Sequence, residues 1–139
     1  VKVLFDSNVL VSSAIYGGAA SRAIRGTLEA RWKVFTCATV LAETRRVIVD
    51  KFGRGQGLAR SAVQTFRDVF EIAEEPLTKH RVPGDEDDTP ILRAAVWAGV
   101  DYLVTRDAKI LALNPVEGVR IISLTDYLRI LQSHGFARD

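Results

Sequence analysis

Val1-Lys2-Val3-Leu4-Phe5-Asp6-Ser7-Asn8-Val9-Leu10 is the stretch that decides how the rest of the chain reads. Its first five residues are short and apolar enough for a buried strand, and the run stops on a carboxylate. Asp6 has two readings: a cap for a helix opening at Asn8 or Val9, or a ligand standing where a strand ends. In open α/β sheets ligands bind beyond the carboxyl ends of the strands, so the residue after each strand matters most.

Working outward, Val34–Cys37, Tyr102–Thr105 and Arg120–Ser123 read as further strands, while residues 70–73 read equally as a helix end or a strand. Between them lie helical stripes. Leu41, Thr44, Ile48 and Phe52 recur at spacings of three and four over residues 38–52. Ser61 is a candidate cap for a stripe of Val63, Phe66, Phe70 and Ala73. Thr89-Pro90 opens a helix that stops at Gly99, and a last helix covers about 125–133. Strands alternating with helices predict an α/β fold, a parallel sheet of four to five strands covered by helices. Gly17-Gly18 and Gly53-Arg54-Gly55-Gln56-Gly57 read as loops; the second lacks the Lys-Ser/Thr of a phosphate-binding loop.

The chain has 139 residues, 47% of them hydrophobic and 26% charged, which suits a single domain over 1–139 with a continuous core. No apolar run is long enough to span a bilayer, and the first residues lack a signal-peptide layout. A single cysteine, Cys37, excludes a disulfide within the chain and a cysteine-built zinc site, and two histidines disfavour an imidazole-rich one. The expected compartment is the cytoplasm. The net charge of +2 hides an asymmetry, since residues 1–70 sum to +6 and residues 71–139 to −4. A basic half beside an acidic half suits an enzyme that holds phosphates and cations together, although surfaces also scatter charge unevenly.

The acids deserve separate weighing. Asp107 ends Leu103-Val104-Thr105-Arg106-Asp107 as Asp6 ends the first strand, and it too could merely cap the turn at 108–113. Glu43 has Val40 and Val47 as its neighbours three before and four after, so its charge falls on or beside a buried stripe. It needs a partner there, either Arg45 or Arg46, or a cation shared with other carboxylates. Asp85-Glu86-Asp87-Asp88 is the densest charge run, and the bland reading is a solvated loop favouring the next helix's positive end. Pro90 prefers the first helical position, which makes Thr89 the cap and leaves Asp88 free to point elsewhere. Adjacent carboxylates resist ionising together unless a cation neutralises them, and magnesium takes oxygen ligands of this kind.

Strand-end Asp6, helix-borne Glu43, pre-helix Asp88 and strand-end Asp107, in that order, resemble the PIN-domain family, close to its prokaryotic toxin components of toxin–antitoxin pairs, the VapC-like ribonucleases. The motifs are Val3-Leu4-Phe5-Asp6-Ser7-Asn8-Val9-Leu10, Leu41-Ala42-Glu43, Asp85-Glu86-Asp87-Asp88-Thr89-Pro90-Ile91-Leu92 and Asp101-Tyr102-Leu103-Val104-Thr105-Arg106-Asp107. The resemblance implies a three-layer α/β/α fold and Mg²⁺- or Mn²⁺-dependent cleavage of RNA. It places the catalytic acids on Asp6, Glu43, Asp88 and Asp107, with metal held by Asp6, Asp88 and Asp107. Asn8 and Thr105 match positions that support the acidic pocket by hydrogen bonds, Ser7 a position that is often threonine or serine, and Cys37 one where a capping serine is common. Asp85 and Asp87 compete with Asp88 for the third place. An antitoxin protein and a homodimer are the partners it implies, and Arg22, Arg25, Arg45 and Arg46 are candidates to track a phosphate backbone.

Three rival readings are set against this one. A PIN-like module that binds RNA or protein without cutting would share the fold. A receiver domain also gathers Asp at strand ends, but a middle-strand phosphoacceptor and a distal catalytic Lys are not evident. A phosphohydrolase built on Asp-x-Asp is disfavoured because position 8 is Asn.

Overall fold

Apolar strands buried on both faces are what a parallel sheet demands, and the centre of this one is the opening stretch of sequence. The computed structural model describes residues 1–138. Along the chain run β1 (Lys2–Phe5), α1 (Ser7–Tyr16), α2 (Gly18–Glu29), β2 (Lys33–Thr36), α3 (Ala38–Asp50) and α4 (Gln56–Val69). They are followed by β3 (Glu71–Ile72), α5 (Thr89–Ala98), β4 (Tyr102–Val104), α6 (Ala108–Leu111), β5 (Arg120–Ile122) and α7 (Leu124–Ser133). All five strands are parallel, in the order β3-β2-β1-β4-β5. Val3 pairs with Val34 on one side and Tyr102 on the other, and Val3, Leu4 and Phe5 are shut off from solvent.

From β1 the chain steps outward to β2 and β3, then returns through α5 to β4 on the far side of β1. The winding therefore reverses beside β1, and a crevice opens past the carboxyl ends of β1 and β4. Two helical layers sandwich the sheet. Phe5 and Tyr102 direct their rings edge-on at Tyr127 of α7, with centroids 5.6 and 5.9 Å apart. Tyr127 also shares a 2.5 Å hydrogen bond with Thr27 of α2. Side chains alternate along a strand, so Leu4 points to the other layer, where α1 packs on α3 and α3 on α4 and α5. Gly26 lets α2 come close to the tail after α7, because a Cβ there would meet Ala137 Cβ at 2.9 Å.

Several boundaries differ from the sequence reading, each for a local reason. Only Gly17, at φ 72°, breaks the chain between α1 and α2, and Gly18 already starts α2. α4 opens at Gln56, before Ser61, so Gln56 and Gly57 are helical and the cap is Gly55 without a side-chain bond. α3 stops at Asp50, two residues short of Phe52. Residues 70–73 serve both readings: Phe70 caps α4, and Glu71 and Ile72 then pair with Phe35 and Thr36 as a two-residue exposed edge. Thr89 is the first residue of α5 and not its cap; Asp88 holds the cap position without a side-chain cap bond. The Thr89 hydroxyl instead accepts from the Val82 backbone N–H at 3.0 Å. Gly99 ends α5 in the left-handed region, as its place in the sequence predicts.

Candidate active site

Asp6 leaves β1 with its backbone extended and its side chain turned back on the next helix. One carboxylate oxygen, Oδ1, accepts the Ser7 backbone N–H at 2.7 Å, which is the capping bond. The other, Oδ2, accepts from the Thr105 hydroxyl at 2.7 Å and the Asn8 amide at 3.3 Å. The capping and pocket readings of Asp6 are thus both realised, one oxygen for each. Asp107 divides its work similarly, since Oδ1 accepts the Lys109 N–H at 2.8 Å and caps α6.

Thr105 ties the two strand ends together. Its hydroxyl donates to Asp6, accepts the Asp107 backbone N–H at 3.0 Å, and lies 3.4 Å from the Asn8 amide nitrogen. Asn8 Oδ1 in turn accepts the Arg106 backbone N–H at 3.4 Å. Glu43 reaches across from α3, where Oε1 accepts the Ser7 hydroxyl at 2.6 Å. Among the described residues it forms no ion pair with Arg45 or Arg46; Arg45 bonds Gln56 instead.

The acidic run resolves into two inward and two outward members. The Asp88 backbone N–H bonds the Asp85 carbonyl in a turn leading into α5, which sets residues three apart on one side. Asp85 and Asp88 carboxylate oxygens come within 4.8 Å of each other and of one on Asp107. Glu86 pairs outward with Arg81, and Asp87 is exposed. Asp85 and Asp88 therefore both belong to the close group, and Asp87 lies outside it.

Electrostatics bind the rest of the group. Asp6 and Asp88 are both buried. Burial raises the Asp6 carboxyl above its usual range, opposed by the bonds from Thr105 and Ser7 and reinforced by the charges of Glu43 and Asp107. Asp88 is pushed up to about 8, first by burial, then by its hydrogen bond with Asp85 and by the charges of Asp6, Glu43 and Asp85. Asp85, Asp88 and Asp107 are the three close enough to share one ion, Asp6 and Glu43 feel their charges from beside them, and among the described residues none of the five has a Lys, Arg or His at ion-pair distance. Such an excess of like charge fits a divalent cation, and an all-oxygen donor set suits a hard one.

The basic residues separate. Arg45 and Arg46 line a groove between α3 and α4 together with Arg67. Arg22 and Arg25 line a different one against the residues after α7. None of the five acids lines either groove. A third groove does: Ser7, Asn8 and Glu43 form one wall of it, with Val11, Tyr16, Val47, Phe52, Lys51 and Arg106 beyond. Sequence reading passed over Asp85 as a second inward acid, although its spacing of three from Asp88 was a usable signal. It had no signal for Lys51 and Arg106, because nothing local distinguishes them from other surface cations.

A parallel α/β sheet with acids gathered at its switch point is an arrangement that could hold a cation. The PIN domain family model matches residues 2–109, and the chain belongs to that family, whose members are nucleases. No curated protein matches significantly. Among solved structures, PAE2754 from Pyrobaculum aerophilum superposes with a TM-score of 0.67 at 20% identity, covering 96% of this chain and 90% of its own. VapBC2 from Rickettsia felis, bound to a DNA fragment from their promoter, gives 0.65 at 14% identity, covering 88% and 98%. At these identities the two likenesses speak for the fold.

Proposed function

We propose that this chain is a divalent-metal-dependent endoribonuclease acting in the cytoplasm as the toxin of a toxin–antitoxin pair. The observation that carries the nuclease reading is the Asp85, Asp88 and Asp107 group with Asp6 and Glu43 electrostatically coupled to it past the ends of β1 and β4, with no Lys, Arg or His at ion-pair distance among the described residues. Asp6, Asp88 and Asp107 would hold Mg²⁺ or Mn²⁺, with Asp85 as a further oxygen donor. When bound, such an ion polarises a phosphodiester and lowers the pKa of a coordinated water.

The chain's own residues supply position and proton handling. Thr105 and Ser7 fix the two oxygens of Asp6, so that carboxylate is held in one orientation before any ligand arrives. Glu43, oriented by the Ser7 hydroxyl, is the group placed to take a proton from an attacking water. No side-chain nucleophile is needed: Cys37 is buried and its thiol is pushed up to about 12, so it holds its proton. The toxin assignment is supported by the motif resemblance and by the fold shared with VapBC2. A cognate antitoxin is the proposed partner, and a homodimer the proposed assembly.

Incubation of total RNA with the protein and Mg²⁺ or Mn²⁺ tests the activity. The wild type should cleave, and Asp6→Asn or added chelator should stop it. Equal cleavage by wild type and Asp6→Asn would assign the activity to a contaminant and remove the proposal.

A further inference from the structure

The groove that shares a wall with the acidic pocket has no role in the chemistry above. It lies between α1 and α3, encloses about 430 Å³, and falls within the size range of pockets that hold small ligands. Its floor is apolar, built from Val11 and Val47. Tyr16 and Phe52 stand over that floor in an edge-to-face pair with centroids 5.9 Å apart. Tyr16 is 72% exposed, an unusual amount for a tyrosine ring at the end of an apolar helix face. Lys51 and Arg106 occupy the rim, both exposed and, among the described residues, without ion-pair partners.

We infer that this groove is a nucleobase subsite: Tyr16 and Phe52 stack an unpaired base of a single-stranded substrate next to the acidic pocket, while Lys51 and Arg106 meet its flanking phosphates. Two features select that occupant. Ser7, Asn8 and Glu43 belong to both the groove and the acidic pocket, so a strand with its phosphate at the acids has its neighbouring nucleotide at the aromatic pair. The charge also matches, because an apolar slot rimmed by two unpaired cations complements a flat base carried on an anionic backbone, whereas a purely apolar peptide leaves those cations unanswered. Aromatic stacking tolerates any base, so the subsite orients the strand and selects single-stranded over paired substrate without reading a long sequence. The inference rests on the nuclease reading for the meaning of the acidic pocket, and its test is separable from it.

Binding is measured by fluorescence anisotropy in Ca²⁺ with a labelled single-stranded octaribonucleotide, and with the same strand carrying one abasic site at each position in turn; cleavage is followed separately in Mg²⁺. One abasic position should weaken wild-type binding by about 5- to 150-fold, the range of a lost base–aromatic stack. Tyr16→Ala should weaken the intact strand similarly and lose nothing further at that abasic position, whereas Tyr16→Phe should bind like wild type. Equal binding of intact and abasic strands by wild type overturns the inference, as does an undiminished abasic penalty in Tyr16→Ala. Failure of wild type to bind any strand overturns it too, and would leave the groove to a protein partner. Base-dependent binding without cleavage in Mg²⁺ or Mn²⁺ would sustain the subsite and overturn the nuclease proposal alone.

Discussion

Two clusters of polar side chains are buried in this molecule, one on the α7 side of the sheet and one past its carboxyl edge, and they are built on opposite terms. On the α7 side, Thr27 and Tyr127 bond each other, and the Thr27 hydroxyl also lies 2.7 Å from the Ala23 carbonyl. Every polar atom there has a neutral partner, so burial costs little and the pair helps seat α2 on α7. At the carboxyl edge, five electrostatically coupled carboxylates bond hydroxyls, amides and backbone N–H groups, and among the described residues no Lys, Arg or His stands at ion-pair distance from them. The first cluster is complete in itself. The second carries unrelieved like charge, which a proton on Asp88 or a cation from outside would relieve. Stability given up in this way is a common mark of functional sites.

That contrast can be broken experimentally, beginning with the strongest effect. Asp6→Asn should lower the RNA cleavage rate by more than about 100-fold, beyond what loss of an outer hydrogen bond costs. Its melting temperature should stay level or rise, since a buried like charge is removed. A fall of several degrees in the metal-free variant would mean that the Asp6 charge is structural.

A pH series sharpens the same point. Asp88 has its carboxyl raised from 3.8 to about 8 in the folded protein. The folded state therefore holds that proton more tightly than the unfolded chain does. The resulting stabilisation is fully present below pH 3.8 and is lost as pH rises through about 8. Urea midpoints of the metal-free protein should show Asp88 contributing this slope, and Asp88→Asn should flatten it. Saturating Mg²⁺ should restore stability at pH 8, by about 2.7 kcal/mol at a hundredfold excess over its dissociation constant.

Thr105→Val keeps the shape of the side chain but removes the hydroxyl that links Asp6, Asp107 and Asn8. Cleavage should fall by about 10- to 100-fold through looser positioning of Asp6. A matching loss of metal affinity by calorimetry would identify the cause, and unchanged affinity would count against it. The smallest effect belongs to the complete cluster. Tyr127→Phe should cost about 1 kcal/mol of stability by chemical denaturation, the ordinary worth of one hydrogen bond, and leave cleavage untouched. A loss of activity in Tyr127→Phe would show that the two clusters are coupled through the sheet.

Legibility in the sequence followed the range of the interaction. Val1–Asp6 and Tyr102–Asp107 announced themselves because a parallel strand buried on both faces must be apolar and must end where polarity resumes. Gly99 was legible because a left-handed residue is needed there. α2 and the early start of α4 were not, since both begin on glycine or beside it and rely on packing for their helical state. Asp88 was placed correctly outside the interior of its helix, although by one residue of misassigned capping. The choice among Asp85, Asp87 and Asp88 depended on a turn whose direction is set by α5 docking against the sheet.

The sequence alone, then, determined the parallel α/β plan, the strand ends at Asp6 and Asp107 and the misplaced charge of Glu43, because these follow from local periodicity and burial. Only the tertiary structure decided that Glu43 meets Ser7 and not Arg46, that Asp85 joins Asp88, and that Lys51, Phe52, Tyr16 and Arg106 from three separate segments frame one groove. Those outcomes depend on distances between residues far apart in the chain, and such distances exist only once the sheet reverses its winding beside β1.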